Sequence, residues 1–293
     1  MSPEFFLNII LFGGIYIGVG LSINLILGVM RLINVANGEL IMLGAYAAWL
    51  FSLVGIPPLA SLPLAFIVNS LIGLLSYESS IKKVMTRPDP GMSALLVTYG
   101  FSMLMMNLVI LIFTADYRGL ITPLPSVSVF GVNIPIARLI ASIIGLAFAF
   151  SLYIFLRTTY LGKAIRAVAS NKMGASIVGI DINKIYRIVY VIGYGLAGAC
   201  GSILALMFPV YPTMGQLFGP ISLCLVVLGG MGSYIGLIAA AFTLSFIENV
   251  CAYMTQFSLK PLVAFLIIMM ALLVRPKELH YNIKKITGMF RHE

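Results

Sequence analysis

Apolar residues run along this chain in blocks of near-bilayer length, parted by short polar or glycine-bearing breaks, at about 6–30, 39–55, 58–77, 92–114, 137–156, 186–207, 214–232, 234–254 and 258–274. A bilayer core about 30 Å thick takes roughly 20 apolar residues in helical form. Backbone polar groups in hydrocarbon are satisfied only inside a helix or around a closed barrel. No ten-residue segment alternates with period two, so a barrel is excluded and the blocks predict helices. Several breaks are only a few residues long. The pattern therefore predicts an all-α, polytopic transmembrane bundle of eight or nine spans, the lower count requiring one re-entrant segment.

Composition agrees with this picture and narrows it. Of 293 residues, 61% are hydrophobic and 9% charged, and the mean hydropathy is +1.08. Soluble domains carry about 25% charged residues, so lipid is the expected solvent. The spans consume the length, leaving a single transmembrane domain over 1–293 and no room for a soluble enzyme domain. The first block has no small-residue cleavage site behind it and reads as a retained span.

The net charge of +9 does not point to nucleic acid, because the cations sit in short breaks between spans. Arg31, the segment 78–91 (Lys82, Lys83, Arg87), the segment 157–187 and the tail 275–293 hold 15 of the Lys and Arg residues, against Arg118, Arg138 and Lys260 on the alternate breaks. The positive-inside rule makes the first set cytoplasmic. Nine spans then put the N-terminus outside and the basic tail inside. The outer segment 115–136, with Pro123, Pro125, Gly131 and Pro135, suits a short structured cap, a partner-docking surface or an ordinary connector.

Catalytic chemistry finds little purchase. There is no G-x-x-x-x-G-K-[ST] phosphate loop and no HExxH, and both histidines, His280 and His292, fall in the tail. Cys200, Cys224 and Cys251 lie in apolar runs without metal-type spacing and read as small buried residues. No cofactor or metal is expected.

Two acids lie in or beside apolar runs, where charge is expensive and usually faces a cavity or partner. Glu248 is expected near an outer helix end, reaching water. Glu39 closes Asn34-Val35-Ala36-Asn37-Gly38-Glu39. Gly38 permits a sharp turn and Asn37 can cap the next helix, so the segment reads either as a helix start at the membrane edge or as a pathway lining. Gly229-Gly230-Met231-Gly232 is either a tight interhelical turn or a pathway break. Gly14/Gly18 and Gly193/Ala197/Gly201 favour close helix packing. The segment 157–187 is basic and contains one short helix candidate near 162–179, which can lie in the lipid interface or dock into a soluble partner.

Four blocks, in order, carry a resemblance: RLINVANGELIMLGAY (31–46), LLVTYGFSMLMMNLVILIF (95–113), GKAIRAVASNKMGASIVGIDINKI (162–185) and LVVLGGMGSYIGLIAAAF (225–242). They resemble LivH-type branched-chain amino-acid ABC transporter permeases, which share a LivH/ribose-permease-like fold. The resemblance implies a prokaryotic cytoplasmic-membrane subunit paired with a second related permease. It implies two cytoplasmic ATPase subunits that use the ATP, and an extracytoplasmic substrate-binding protein. It assigns ATPase coupling to Ser170, Asn171, Ala175, Gly179 and Ile180. The translocation path or its gate falls to Asn34, Asn37, Gly38, Glu39, Asn107, Gly229, Gly230 and Gly232. Family members commonly carry His where this chain has Asn37, and relatives transport urea or short amides. A permease for urea or short amides therefore stands as the alternative cargo, with an ion-coupled secondary transporter as the rival class.

Overall fold

The computed structural model describes residues 3–120, 125–129 and 132–254. The expected ninth span at 258–274 with Lys260, the tail 275–293 with both histidines, and Pro123 and Gly131 lie outside the described residues.

Eight of the expected blocks are long helices. They are α1 (Pro3–Met30), α2 (Asn37–Leu53), α3 (Pro58–Ser76), α5 (Pro90–Phe113), α6 (Ile136–Thr158), α9 (Ile182–Leu204), α10 (Met214–Gly229) and α11 (Tyr234–Met254). A π-helical turn, Tyr77–Ile81, extends α3 into α4 (Lys82–Val84). Six of these helical stretches are long and apolar enough to cross a membrane, which makes the chain a multi-pass membrane protein. The two remaining, α2 with 17 residues and α10 with 16, are short for a span.

Two helices form the axis. In their apolar windows α1 is 83% buried and α9 78%, against 17% for α5. A helix apolar all round belongs inside a bundle. Small residues let the backbones close up: Gly14 and Gly145 bring α1 onto α6, a Cβ at Gly18 would stand 3.5 Å from Cys200 Sγ of α9, and Gly44 meets Gly198 where α2 crosses α9. In lipid, where no hydrophobic effect drives helices together, this close packing supplies the association.

The neighbours repeat. α3 lies along α9 as α11 lies along α1; α2 packs on α9 as α10 packs on α1; α1 meets α9 and α2 meets α10. The segments α1–α2–α3 and α9–α10–α11 thus occupy equivalent places. Their leading helices are antiparallel, since Gly18 faces Cys200 while Ile26 faces Gly193. An exchange of this kind is an inverted repeat. By contrast α6 runs parallel to α1, with Asn8 accepting from Arg138 at one end and Gly18 beside Gly145 further along.

Contacts between helix ends gather the basic turns at one end of the bundle. Gly28 of α1 touches Gly232 in the α10–α11 turn, and Tyr77 donates to the Asn183 carbonyl at the start of α9 (3.0 Å). Glu78 pairs there with Arg187 (2.6 Å) and Lys82 (3.1 Å). The same end carries the segment after α6. It is not one helix over 162–179 but two, α7 (Tyr160–Ser170) and α8 (Lys172–Ile177). The break falls at Asn171 because its side chain accepts from Gly174 N–H (3.0 Å) and restarts the helix. Thr159 and Asp181 cap α7 and α9 in the same way.

The opposite end is a structured cap. β1 (Ser126–Val129) and β2 (Val132–Pro135) form an antiparallel hairpin leading into α6. Arg118 exchanges backbone hydrogen bonds with Val210 and lays its guanidinium over Trp49, 4.4 Å from the ring. Of the three readings left open by the sequence, the described residues give the structured one.

Candidate functional site

The centre of the bundle is where α2 and α10 begin. α1 stops at Met30 because Arg31 turns left-handed (φ 55°), an ending usually left to glycine. Residues 31–36 then run back without helix until α2 starts at Asn37. Asn37 is bonded to Ser22, eight residues before the end of α1, so α2 begins about 12 Å inside the bundle.

Non-helical backbone survives at membrane depth only where the protein satisfies it. Here Asn34 Oδ1 accepts from Ala36 N–H (3.2 Å), and Thr98 of α5 accepts from Val35 N–H (3.3 Å) while lying 3.4 Å from the Ile33 carbonyl. Asn37 Oδ1 accepts from Ser22 Oγ of α1 (2.8 Å), and its Nδ2 donates to Ser222 Oγ of α10 (3.0 Å). The Ser222 hydroxyl donates to the Gly219 carbonyl (2.6 Å). Gly38 sits against the backbone of Gly215 and Gly219, leaving no room for a Cβ. The first turns of the two short helices therefore cross backbone to backbone.

This junction brings together Asn34, Asn37, Gly38 and Glu39 as the sequence grouped them, and adds partners from three other helices, α1, α5 and α10. Asn34, Asn37 and Glu39 are all buried. The Glu39 carboxylate lies in the first turn of α2, close to its own backbone N–H and to Ser102 of α5. Its position at the positive end of that helix favours the charge.

Other members of the expected path lie elsewhere. Asn107 is exposed on the outer face of α5, its amide folded onto the Met103 carbonyl (2.7 Å). Gly229, Gly230 and Gly232 form the α10–α11 turn, where Gly230 and Gly232 take φ of 87° and 79°. Asn24 Oδ1 accepts from Gly232 N–H there (3.0 Å). This cluster is a tight turn packed on α1. Glu248 does not reach water: it is 3% exposed and accepts from the Tyr16 hydroxyl of α1.

The expected coupling residues also divide. Ser170, Asn171 and Gly179 are exposed and Ile180 is half-buried, but Ala175 is 4% exposed. The apolar apex is formed instead by Met173, Ile177 and Val178, exposed by 75%, 79% and 74%. Gly179 (φ 83°) turns the chain back toward α9.

Ser22, Asn24, Thr98, Ser102 and Ser222 were not singled out in the sequence. Their signal was present, since each is a polar residue inside an otherwise apolar span. What was missing was the knowledge that they converge.

Asn37 holds α1 and α10 through two hydrogen bonds, and interhelical bonds in membranes average about 0.6 kcal/mol with a maximum near 1.7. Asn37→Ala is expected to lower stability by about 1–2 kcal/mol, read as an earlier thermal unfolding transition in detergent. An unchanged transition would mean that the bridge carries no load.

A sequence profile described as "Branched-chain amino acid transport system / permease component" matches residues 5–274, which includes every element of this junction. The chain belongs to that family. This permease is 29% identical over 278 residues to the high-affinity branched-chain amino acid transport system permease protein BraD of Pseudomonas aeruginosa, covering 90% of this chain and 91% of the relative. It is 27% identical over 287 residues to the corresponding protein LivH of Escherichia coli K12, covering 92% of each. Among solved structures, a chain of PsaBC from Streptococcus pneumoniae in complex with Fab superposes with a TM-score of 0.53 over 94% of each chain, at 12% identity. That likeness concerns the fold alone. The family is one of transport permeases, not enzymes.

Proposed function

We propose that this permease is the membrane subunit of an ABC importer for branched-chain amino acids in a prokaryotic cytoplasmic membrane. It pairs with a second permease, and two separate ATPase subunits consume the ATP. The α7–α8 projection carries the reading. Three apolar side chains, Met173, Ile177 and Val178, stand exposed at its apex, on a segment that also bears Arg157, Lys163, Arg166, Lys172, Lys184 and Arg187. A short apolar helix in a polar setting suits a groove on a soluble partner. Lys and Arg are concentrated at that end, which supports a cytoplasmic position for it by the positive-inside rule.

The remaining partners have supporting surfaces. α5 exposes Met92, Leu96, Tyr99, Met103 and Leu111 and suits the second permease. The β1–β2 cap suits an extracytoplasmic binding protein. The path lies beside α5, near Glu39 and Ser102. Nucleotide state acts by biasing two arrangements of the α2–α10 crossing. A cargo that is small, neutral overall and largely apolar fits a bundle with so few charges.

The test is uptake by the reconstituted complex. Labelled isoleucine is expected to enter vesicles only with ATP supplied on the ATPase side, and excess leucine rather than urea is expected to compete. Uptake on an ion gradient without nucleotide would sink the importer reading. Competition by urea alone would replace the cargo.

A further inference from the structure

Outside the junction, a crevice of about 470 Å³ lies between α6 and α11, floored by α1. Leu21 and Leu237, each 1% exposed, form its floor; Phe150 (67%), Tyr153 (42%) and Ile238 (37%) form its rim. Ala149 and Tyr234 complete the walls, on which the only side-chain polar groups are two phenol hydroxyls. Among the described residues no carboxylate lines it. The crevice runs along the last turns of α6 and the first of α11, so it lies at lipid depth on the side of the α7–α8 projection.

One cation marks its mouth. Arg157, in the last turn of α6, holds its guanidinium 5.4 Å from the centroid of the Tyr153 ring. Among the described residues it forms no ion pair; the two that exist belong to Glu78. An apolar slot ending in a guanidinium that has no ion pair among the described residues has the two parts of a lipid site, and Arg pairs well with phosphate. A second protein helix, about 10 Å across, would ride over such a slot without filling it.

We propose that this crevice binds one acyl chain of an anionic phospholipid, whose phosphate is held by Arg157. The lipid wedges between α6, which leads into the coupling segment, and α11, which follows the glycine turn. It thereby props the root of α7 against the α10–α11 hairpin. The site is independent of the cargo and of the ATPase partners, and its test reads lipid rather than transport.

The full-length permease, purified in detergent, is offered phosphatidylglycerol or phosphatidylcholine and weighed intact by native mass spectrometry. One phosphatidylglycerol per chain is expected to be retained in preference to phosphatidylcholine. Arg157→Gln is expected to reduce that preference about fivefold, the worth of one basic residue at a membrane surface, while chain binding persists. Ile238→Trp fills the slot and is expected to remove both lipids. Arg157 and Ile238 are exposed, so unfolding temperatures serve as the folding control. As a second measurement, Trp49 is the chain's one tryptophan, and Phe150→Trp in a Trp49→Phe background is expected to be quenched more by brominated phosphatidylglycerol than by brominated phosphatidylcholine. Equal retention and equal quenching of the two lipids, or an unchanged preference in Arg157→Gln, overturns the proposal.

Discussion

Replacing Ile177 and Val178 together by aspartate is expected to abolish ATP-driven uptake while leaving the bundle folded. Both side chains are more than 70% exposed, so their removal takes nothing from the core. α8 keeps its Asn171 cap and α9 its Asp181 cap. Anchors of this kind at the centre of a protein interface are worth about 2 kcal/mol or more each, and burying two new carboxylates adds a desolvation penalty. The loss of ATPase association is therefore expected to exceed about a hundredfold, seen as failure of the ATPase to co-purify. Ala175→Asp is the contrasting case. Ala175 is buried, so an aspartate there is expected to destabilise the permease itself, with lower yield and an earlier unfolding transition. If the apex variant still holds its ATPase and transports, the projection is not the coupling surface.

The second large effect is at Gly38. A Cβ there would stand against the Gly215 carbonyl and 2.9 Å from the Gly219 Cα, all of it backbone that cannot rotate away. Gly38→Val must push α2 and α10 apart, breaking the Asn37–Ser222 bond and opening the core. Overpacking typically costs about 1–3 kcal/mol where side chains can adjust, and here they cannot. Loss of monodisperse protein in detergent is the expected result. Gly100 on α5 is the control. It has nothing within 4 Å of where its Cβ would stand, so Gly100→Ala is expected to be neutral or to stabilise by up to about 1 kcal/mol through helix propensity. Equal behaviour of the two variants would remove the crossing as the structural keystone.

These predictions rest on features the sequence showed unequally. The eight long helices were legible within a few residues because each is a continuous apolar run, and only a helix satisfies its backbone in lipid. The small residues at Gly14, Gly18, Gly193 and Gly201 were legible as packing sites for the same reason. Asn34, Asn37, Gly38 and Glu39 could be recognised as one motif because they are adjacent in the chain. Asn107 and the Gly229–Gly232 turn could not be separated from them, because a polar or glycine residue in an apolar run looks alike whether it faces outward, turns a hairpin or meets a partner. Glu248 was misjudged on the same ground: its neighbour in sequence suggested a helix end, whereas Tyr16, more than two hundred residues away, supplies its hydrogen bond.

The sequence by itself determined that this is a helical multi-pass membrane protein with its cations at alternate turns, since hydropathy and charge are properties of each segment alone. Only the tertiary structure decided that α2 and α10 start inside the bundle and cross at Gly38 and Gly215, that Asn37 bridges α1 to α10, and that α8 turns Met173, Ile177 and Val178 outward while hiding Ala175. Those outcomes depend on which helix faces which. In lipid that choice is made by shape and a few polar contacts between distant segments, not by the apolar character that all the segments share.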